Sequence, residues 1–200
     1  MNRIVHPIEA ESYRILRSVV DTSALPPRTR DVAERIIHTT ADPGWLDDLV
    51  ADEKALEAGA AALDTGAPLV VDVAMVAAGI TRYPSLCLVS SPQARDLATA
   101  AGLTRSAAAV RLAAQQAPDG AVWAVGNAPT ALYELIRLAA AGQVRPALVV
   151  GLPVGYVGAA DAKAALRDSG LPQLSNVSAR GGSAVAAAAV NALLYGDPLA

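Results

Sequence analysis

Two hundred residues carrying a net charge of −3, with 53% apolar and 4% aromatic residues and no Phe, suit one globular domain spanning 1–200. Its core must be built from Ala, Val, Leu and Ile, and the absence of any Lys/Arg run excludes a general nucleic-acid binder. A single cysteine, Cys87, excludes an internal disulfide framework and a multi-cysteine zinc site, and two histidines, His6 and His38, exclude a three-histidine metal centre within one chain.

The chain opens with HPIEAESYRILRSVVD, a helix with a Pro in its first turn and Glu9 and Glu11 at its positive end. Its expected inward stripe is Ile8, Ser12 or Tyr13, Leu16 and Val19 or Val20. Pro26-Pro27 breaks the chain, and Thr29 opens a second helix, TRDVAERIIH. There the periodicity turns Val32, Ala33 and Ile36 inward and Asp31, Glu34 and Arg35 outward. His38 ends this helix, followed by the hydroxyls of Thr39 and Thr40. An imidazole so placed is a candidate proton donor near neutral pH, with a hydrogen-bonded structural histidine as the alternative.

A mixed region runs to Val50, and DEKALEAGAAALDTG is a helix stopped by Gly66. APLVVDV, SLCLVSS, AVWAVGN, PALVVGL and the weaker QLSNV then read as strands. MVAAGITR reads as a helical turn or loop. Helices follow from Pro92, from an N-capping Thr104, and in ALYELIRLAAAG, AADAKAALRDSG and RGGSAVAAAAVNALLYG. Cys87, in an apolar strand-like run, reads as a buried inert thiol. Strands alternating with helices at this spacing imply βαβ crossovers. The fold class is therefore α/β: three layers, a mostly parallel sheet with helices on both faces, and the first helices added before it. No apolar stretch reaches transmembrane length uninterrupted and no apolar signal core begins the chain, so a soluble cytoplasmic protein without membrane contact is expected.

Ligands of such sheets gather at the carboxyl ends of the strands. Asn127, Thr130 and the amides that start the next helix suit an anion, and Gly181-Gly182-Ser183 beside Arg180 offers the same arrangement. Arg82 and Arg105 each follow a threonine. An Arg at a helix start is unfavourable without a nearby anion, which singles out Arg105. Asp72, ending the first strand, is either functional or a cap. Glycines at 151, 155 and 158 do not match a dinucleotide fingerprint, and no Gly-Lys-Ser/Thr, HExxH or GxSxG occurs. The 14 Arg against two Lys suit a carboxylate-rich ligand, although genome composition produces the same bias.

In order along the chain, HPIEAESYRILR, ERIIHTTAD, DVAMVAAGITR, TRSAAAVRL, AVGNAPTAL, GLPVGYVGAADAK and RGGSAVAAAAVNAL resemble the precorrin-8X methylmutase family (precorrin isomerases of cobalamin biosynthesis). GNAPTAL followed by PVGxVGAAxxK is the specific part, and the resemblance covers about His6 to Leu194. It implies a homodimeric flavodoxin-like domain with its active site at the subunit interface. It also implies an intramolecular shift of a methyl group from carbon 11 to carbon 12 of precorrin-8X, giving hydrogenobyrinate without cofactor, protein-bound metal or methyl donor. The family histidine maps onto His38, which would donate a proton to a pyrrole-type nitrogen and take it back. Ser12, Thr81, Thr104, Arg105 and Ser106 map onto substrate positions. Arg17, Arg82, Asn127, Thr130, Gly182 and Ser183 complete the set expected to meet a polycarboxylate. Val177 and Ala179 replace cationic or polar residues usual in the family, and Ala78 stands where many relatives carry a His. The cobalt-containing substrate of the anaerobic route, or tetrapyrrole carriage without catalysis, are the alternative readings.

Overall fold

The computed structural model describes residues 5–199. In chain order the elements are α1 (Pro7–Val19), α2 (Pro27–Thr40), α3 (Trp45–Asp48), β1 (Leu49–Ala51), α4 (Glu53–Asp64), β2 (Leu69–Val71), α5 (Ala74–Gly79) and β3 (Ser85–Leu86). They continue with α6 (Pro92–Ala101), α7 (Arg105–Gln116), β4 (Val122–Val125), α8 (Pro129–Ala140), β5 (Leu148–Gly151), α9 (Ala159–Asp168), β6 (Gln173–Asn176) and α10 (Ser183–Tyr195).

Five strands pair in parallel in the order β3-β2-β4-β5-β6, the order of a flavodoxin-like doubly wound sheet. The expected α/β class is therefore observed. Side chains alternate along each strand and divide the core in two. Leu69, Val71, Val122, Ala124, Leu148 and Val150 face the layer of α2, α4, α5 and α10. Val70, Trp123, Val125 and Val149 face the layer of α7, α8 and α9. Helix α10 is apolar nearly all round because α2 covers the side that the sheet does not.

Four local expectations change. The region ending near Val50 contains β1, which adds antiparallel to β6. The strand expected over SLCLVSS is reduced to Ser85–Leu86, and Cys87 is only half-buried, with burial pushing its thiol pKa up. On α1 the buried stripe is Tyr13, Leu16 and Val20, whereas Ile8, Ile15 and Val19 are exposed. On α2, Glu34 and Arg35 are buried rather than outward, because α1 and α10 flank the helix and α4 adds a third neighbour. The N-terminal helices are thus not an appendage: α2 is central to one layer.

Candidate active site

Helix α2 is held at both ends, and this fixes where His38 stands. It begins at Pro27, two residues before the expected start, and has no side-chain cap of its own. Glu53 of α4 supplies one, accepting from Arg28 N and Thr29 N (both 2.8 Å) and from Thr29 Oγ1 (2.7 Å). Burial pushes the Glu53 carboxyl up, and these hydrogen bonds more than offset it, leaving its pKa below the usual value. At the other end Thr39 and Thr40 donate back to Arg35 O and Ile36 O, so their hydroxyls serve the helix rather than the imidazole. Ala41 then stops the helix at φ 53°, the one non-glycine positive φ among the described residues.

The half-buried imidazole of His38 is gripped by two consecutive residues of α1. Ser12 Oγ lies 2.8 Å from Nδ1, and the Tyr13 ring stacks on the imidazole at 5.0 Å between centroids and 27° between planes. A cavity of about 240 Å³ opens here, lined by Ser12, Ile15, Leu16, Val19, Ile37, His38, Ala41 and Pro43.

A second constellation occupies the carboxyl ends of the strands. Strand order reverses between β2 and β4, the usual ligand crevice of this fold. Here Asp72, buried at the end of β2, accepts from Gly126 N (3.0 Å), Asn127 N (2.9 Å) and Ala128 N (2.8 Å). Its pKa is raised by burial, against which the three amides pull. Of the groups expected to hold an external anion, the Asn127 amide is therefore taken by the protein's own carboxylate. Close by, Thr104 caps α7 through Ala107 N (3.2 Å), and its hydroxyl meets that of Thr130 at 2.8 Å, with exposed Arg105 next in the chain. The Oγ of Ser183 is buried at the start of α10 without a hydrogen-bond partner.

The turn before α10 is clamped from below. Lys163 on α9 is 0% exposed, and its ammonium donates to Asn176 Oδ1 (2.8 Å), Ser178 O (2.5 Å) and Arg180 O (2.6 Å). Burial lowers its pKa to about 8. Asp48 takes Ser178 N (2.8 Å), Ser178 Oγ (2.7 Å) and Asn176 Nδ2 (2.8 Å) from the same turn. Gly181 has φ +152°, and a Cβ there would strike the carbonyls of Leu152 and Pro153. The Arg180 guanidinium lies over the Trp45 ring at 4.5 Å and pairs with Asp42, four residues beyond His38. Through that pair the helix of His38 is tied to the Gly181-Gly182-Ser183 turn.

The structure thus brings together Ser12 with His38, and Thr104 with Thr130. Thr81 and Arg82 are exposed in the loop after α5, where Arg82 stacks on Tyr195 at 5.8 Å. Ser106 is half-buried in the first turn of α7, Asn127 half-buried before α8, and Gly182 half-buried before α10. Arg17 serves the protein itself. It forms a bidentate pair with buried Glu34 (2.7–3.1 Å) and a second pair with Asp197 (2.9 Å), and the Glu34 hydrogen bonds raise its pKa further. Sequence reasoning left Tyr13, Arg35, Lys163 and the Asp42–Arg180 pair without a role. Lys163 carried a signal, since it shares a helical face with buried Ala159, Ala162 and Leu166. No group of three or more His, Cys, Asp or Glu among the described residues could hold a metal. No described helix is long and apolar enough to cross a membrane.

Comparison with known proteins agrees with this arrangement. A family model described as precorrin-8X methylmutase matches residues 7–196. The precorrin-8X methylmutase of Pseudomonas aeruginosa is 41% identical, covering 93% of each chain. The cobalt-precorrin-8 methylmutase of Methanothermobacter thermautotrophicus is 38% identical, covering 94% of this chain and 92% of its own. A crystal structure of precorrin-8X methylmutase from Thermus thermophilus superposes with a TM-score of 0.86 at 36% identity, over 94% of this chain and 93% of that one. With Ser12, His38 and the strand-end loops all inside the matched span, the chain belongs to the precorrin-8X methylmutase family of methyl-shifting isomerases.

Proposed function

We propose that this chain moves a methyl group from carbon 11 to carbon 12 of precorrin-8X, with His38 as the group that lends and recovers a proton. The observation that carries this reading is the imidazole at an open cavity, oriented by Ser12 at Nδ1. An intramolecular rearrangement needs no nucleophile. It needs the substrate held in one conformation and one proton at the right atom. Protonation of a pyrrole-type nitrogen draws electron density from the ring, the methyl migrates, and the proton returns to His38. Thr104, Arg105, Thr130 and Ser183 then meet substrate carboxylates, and Arg17 is left to its internal partners. Asn127 contributes its side chain only, because Asp72 holds its amide. A cytoplasmic location fits an enzyme of small-molecule biosynthesis.

The site is shared between two copies in this reading. Pockets that bury drug-sized ligands enclose about 300–1,000 Å³. A tetrapyrrole is larger still, so the 240 Å³ beside His38 holds one edge of it. Exposed Ile15 and Val19 border that cavity, with exposed Ile8 on the same helix, an apolar strip suited to a second copy.

His38→Ala is expected to abolish conversion while leaving product binding within about threefold, read from the visible spectrum during incubation with precorrin-8X. Full turnover by that variant would sink the proton-transfer role. Relatives named for the cobalt-free and cobalt-containing substrates are similar in identity, which favours testing both in parallel. Turnover of the cobalt form alone would move the chain to the anaerobic route.

A further inference from the structure

Arg35 is buried at 8% exposure, yet its Nε and Nη2 have no hydrogen-bond partner, and Nη1 stands 3.5 Å from Glu9. A buried cation so poorly hydrogen-bonded is costly unless something else holds it. What holds it is the ion pair with Glu9 together with two aromatic faces. Its guanidinium lies over the Tyr13 ring at 5.7 Å and over the Tyr195 ring at 5.8 Å. Arg82 lies over the same Tyr195 ring at 5.8 Å, and Tyr13 stacks on His38. A continuous column therefore runs His38–Tyr13–Arg35–Tyr195–Arg82, drawing members from α1, α2, α10 and the loop after α5.

The imidazole at one end of this column has a soft degree of freedom. Rotation about its sp³–sp² bond has broad minima, so a stacked face defines the ring plane more tightly than the Ser12 hydrogen bond does by itself. Ser12 fixes the edge, and the Tyr13 face fixes the plane. Tyr13 is in turn gripped by Arg35, one helical turn before His38 on α2. We infer that Tyr13 and Arg35 are positioning residues, setting the plane of the His38 ring for the proton transfer proposed above. The inference rests on the proton-transfer role of His38. Core filling and the Glu9 ion pair would account for Tyr13 and Arg35 being buried, but not for the guanidinium lying over the ring that also stacks on His38.

The chain has only two histidines, so the proton NMR spectrum holds two imidazole Cε1–H signals, and His38→Ala assigns them. His6, exposed as the N-cap of α1, is the internal reference. In substrate-free protein, Tyr13→Leu should move the His38 signal downfield by removing the stacked ring, and Tyr13→Phe should leave it in place. In turnover, Tyr13→Leu should lower kcat about 10- to 100-fold with KM within about twofold, as expected when a reacting group is misplaced by a fraction of an ångström to an ångström. Tyr13→Phe should keep kcat within about twofold. Arg35→Met and Arg35→Lys should each move the His38 signal and lower kcat, because lysine lacks the planar group that covers a ring. An unmoved His38 signal in the Leu and Met variants would overturn the inference, whatever happens to kcat. A rise in KM at constant kcat would also overturn it, since Tyr13 would then be touching substrate. Activity retained in His38→Ala would defeat the proposed function instead, and the NMR result would still stand.

Discussion

Asp31 shows how one side chain sets a pH dependence. Burial lifts its carboxyl pKa to about 6, with Asp197 and Glu34 adding to the rise and Arg28, at 3.9 Å, opposing it. The native state therefore holds this proton more tightly than the unfolded chain does between about pH 4 and 6. Its contribution to stability is present at low pH and is lost as pH rises through about 6. Asp31→Asn is expected to raise the Tm at pH 7, with the gain shrinking toward pH 4; an equal gain at both pH values would contradict the buried-carboxylate account. At this scale the sequence was legible where a residue acts within its own helix. Thr104 as an N-cap and His38 at a helix end were both readable. Glu34 and Arg35 were not, because periodicity identifies the face toward the sheet but not the flanking helices that cover the sides. Their partners, Arg17, Tyr13 and Tyr195, come from elements whose placement no local pattern encodes.

Between elements, the Asp72 carboxylate does for the β4–α8 turn what a bound anion does in many related folds. Hydrogen bonds to a charged group contribute about 1.5–3 kcal/mol each, and they are not additive at one acceptor. Asp72→Ala is expected to cost about 3 kcal/mol overall, with the amides of Gly126, Asn127 and Ala128 exchanging faster than those of β4. Uniform exchange along that segment would refute the clamp. Lys163 works similarly from the opposite side of the site. Lys163→Met leaves Asn176 Oδ1 without a donor and Ser178 O and Arg180 O with Asn176 Nδ2 alone, and should destabilise by about 3 kcal/mol, measured by denaturant unfolding. The strands flanked by Gly and Pro were readable because β-branched runs are short and well punctuated. β1 was not, since Leu49–Ala51 is only three residues long and its strand identity comes from its partner β6. That Asp72 occupies the Asn127 amide was not readable for a related reason: the two residues are 55 apart in sequence.

At the scale of the molecule, the flavodoxin strand order reverses between β2 and β4 and puts the loops after them at the mouth of the crevice. The family motifs fall in the loops after β2, β4 and β5, in α1, α7 and α10, and at the end of α2, so the resemblance and the fold point to the same end of the sheet. The apolar outer strip of α1 was not legible, because Ile8 and Val19 read as inward until the register of α1 is known, and Ile15 lay outside that stripe. The proposed dimer makes that stripe testable. Val19→Glu is expected to shift the sedimenting species toward monomer and to lower turnover at the same time. A monomer with full turnover would contradict the shared site.

Both tryptophans are buried, one in each layer of the core. Trp45 lies beneath the Arg180 guanidinium, and Trp123 sits in β4 on the opposite face of the sheet. A cation held over an indole perturbs its excited state, so the emission of Trp45 reports whether the turn before α10 is seated, and Trp123 supplies a constant background. The protein thus carries its own optical probe of the loop that ties the histidine helix to the strand ends, readable without a label and before any pigment is added.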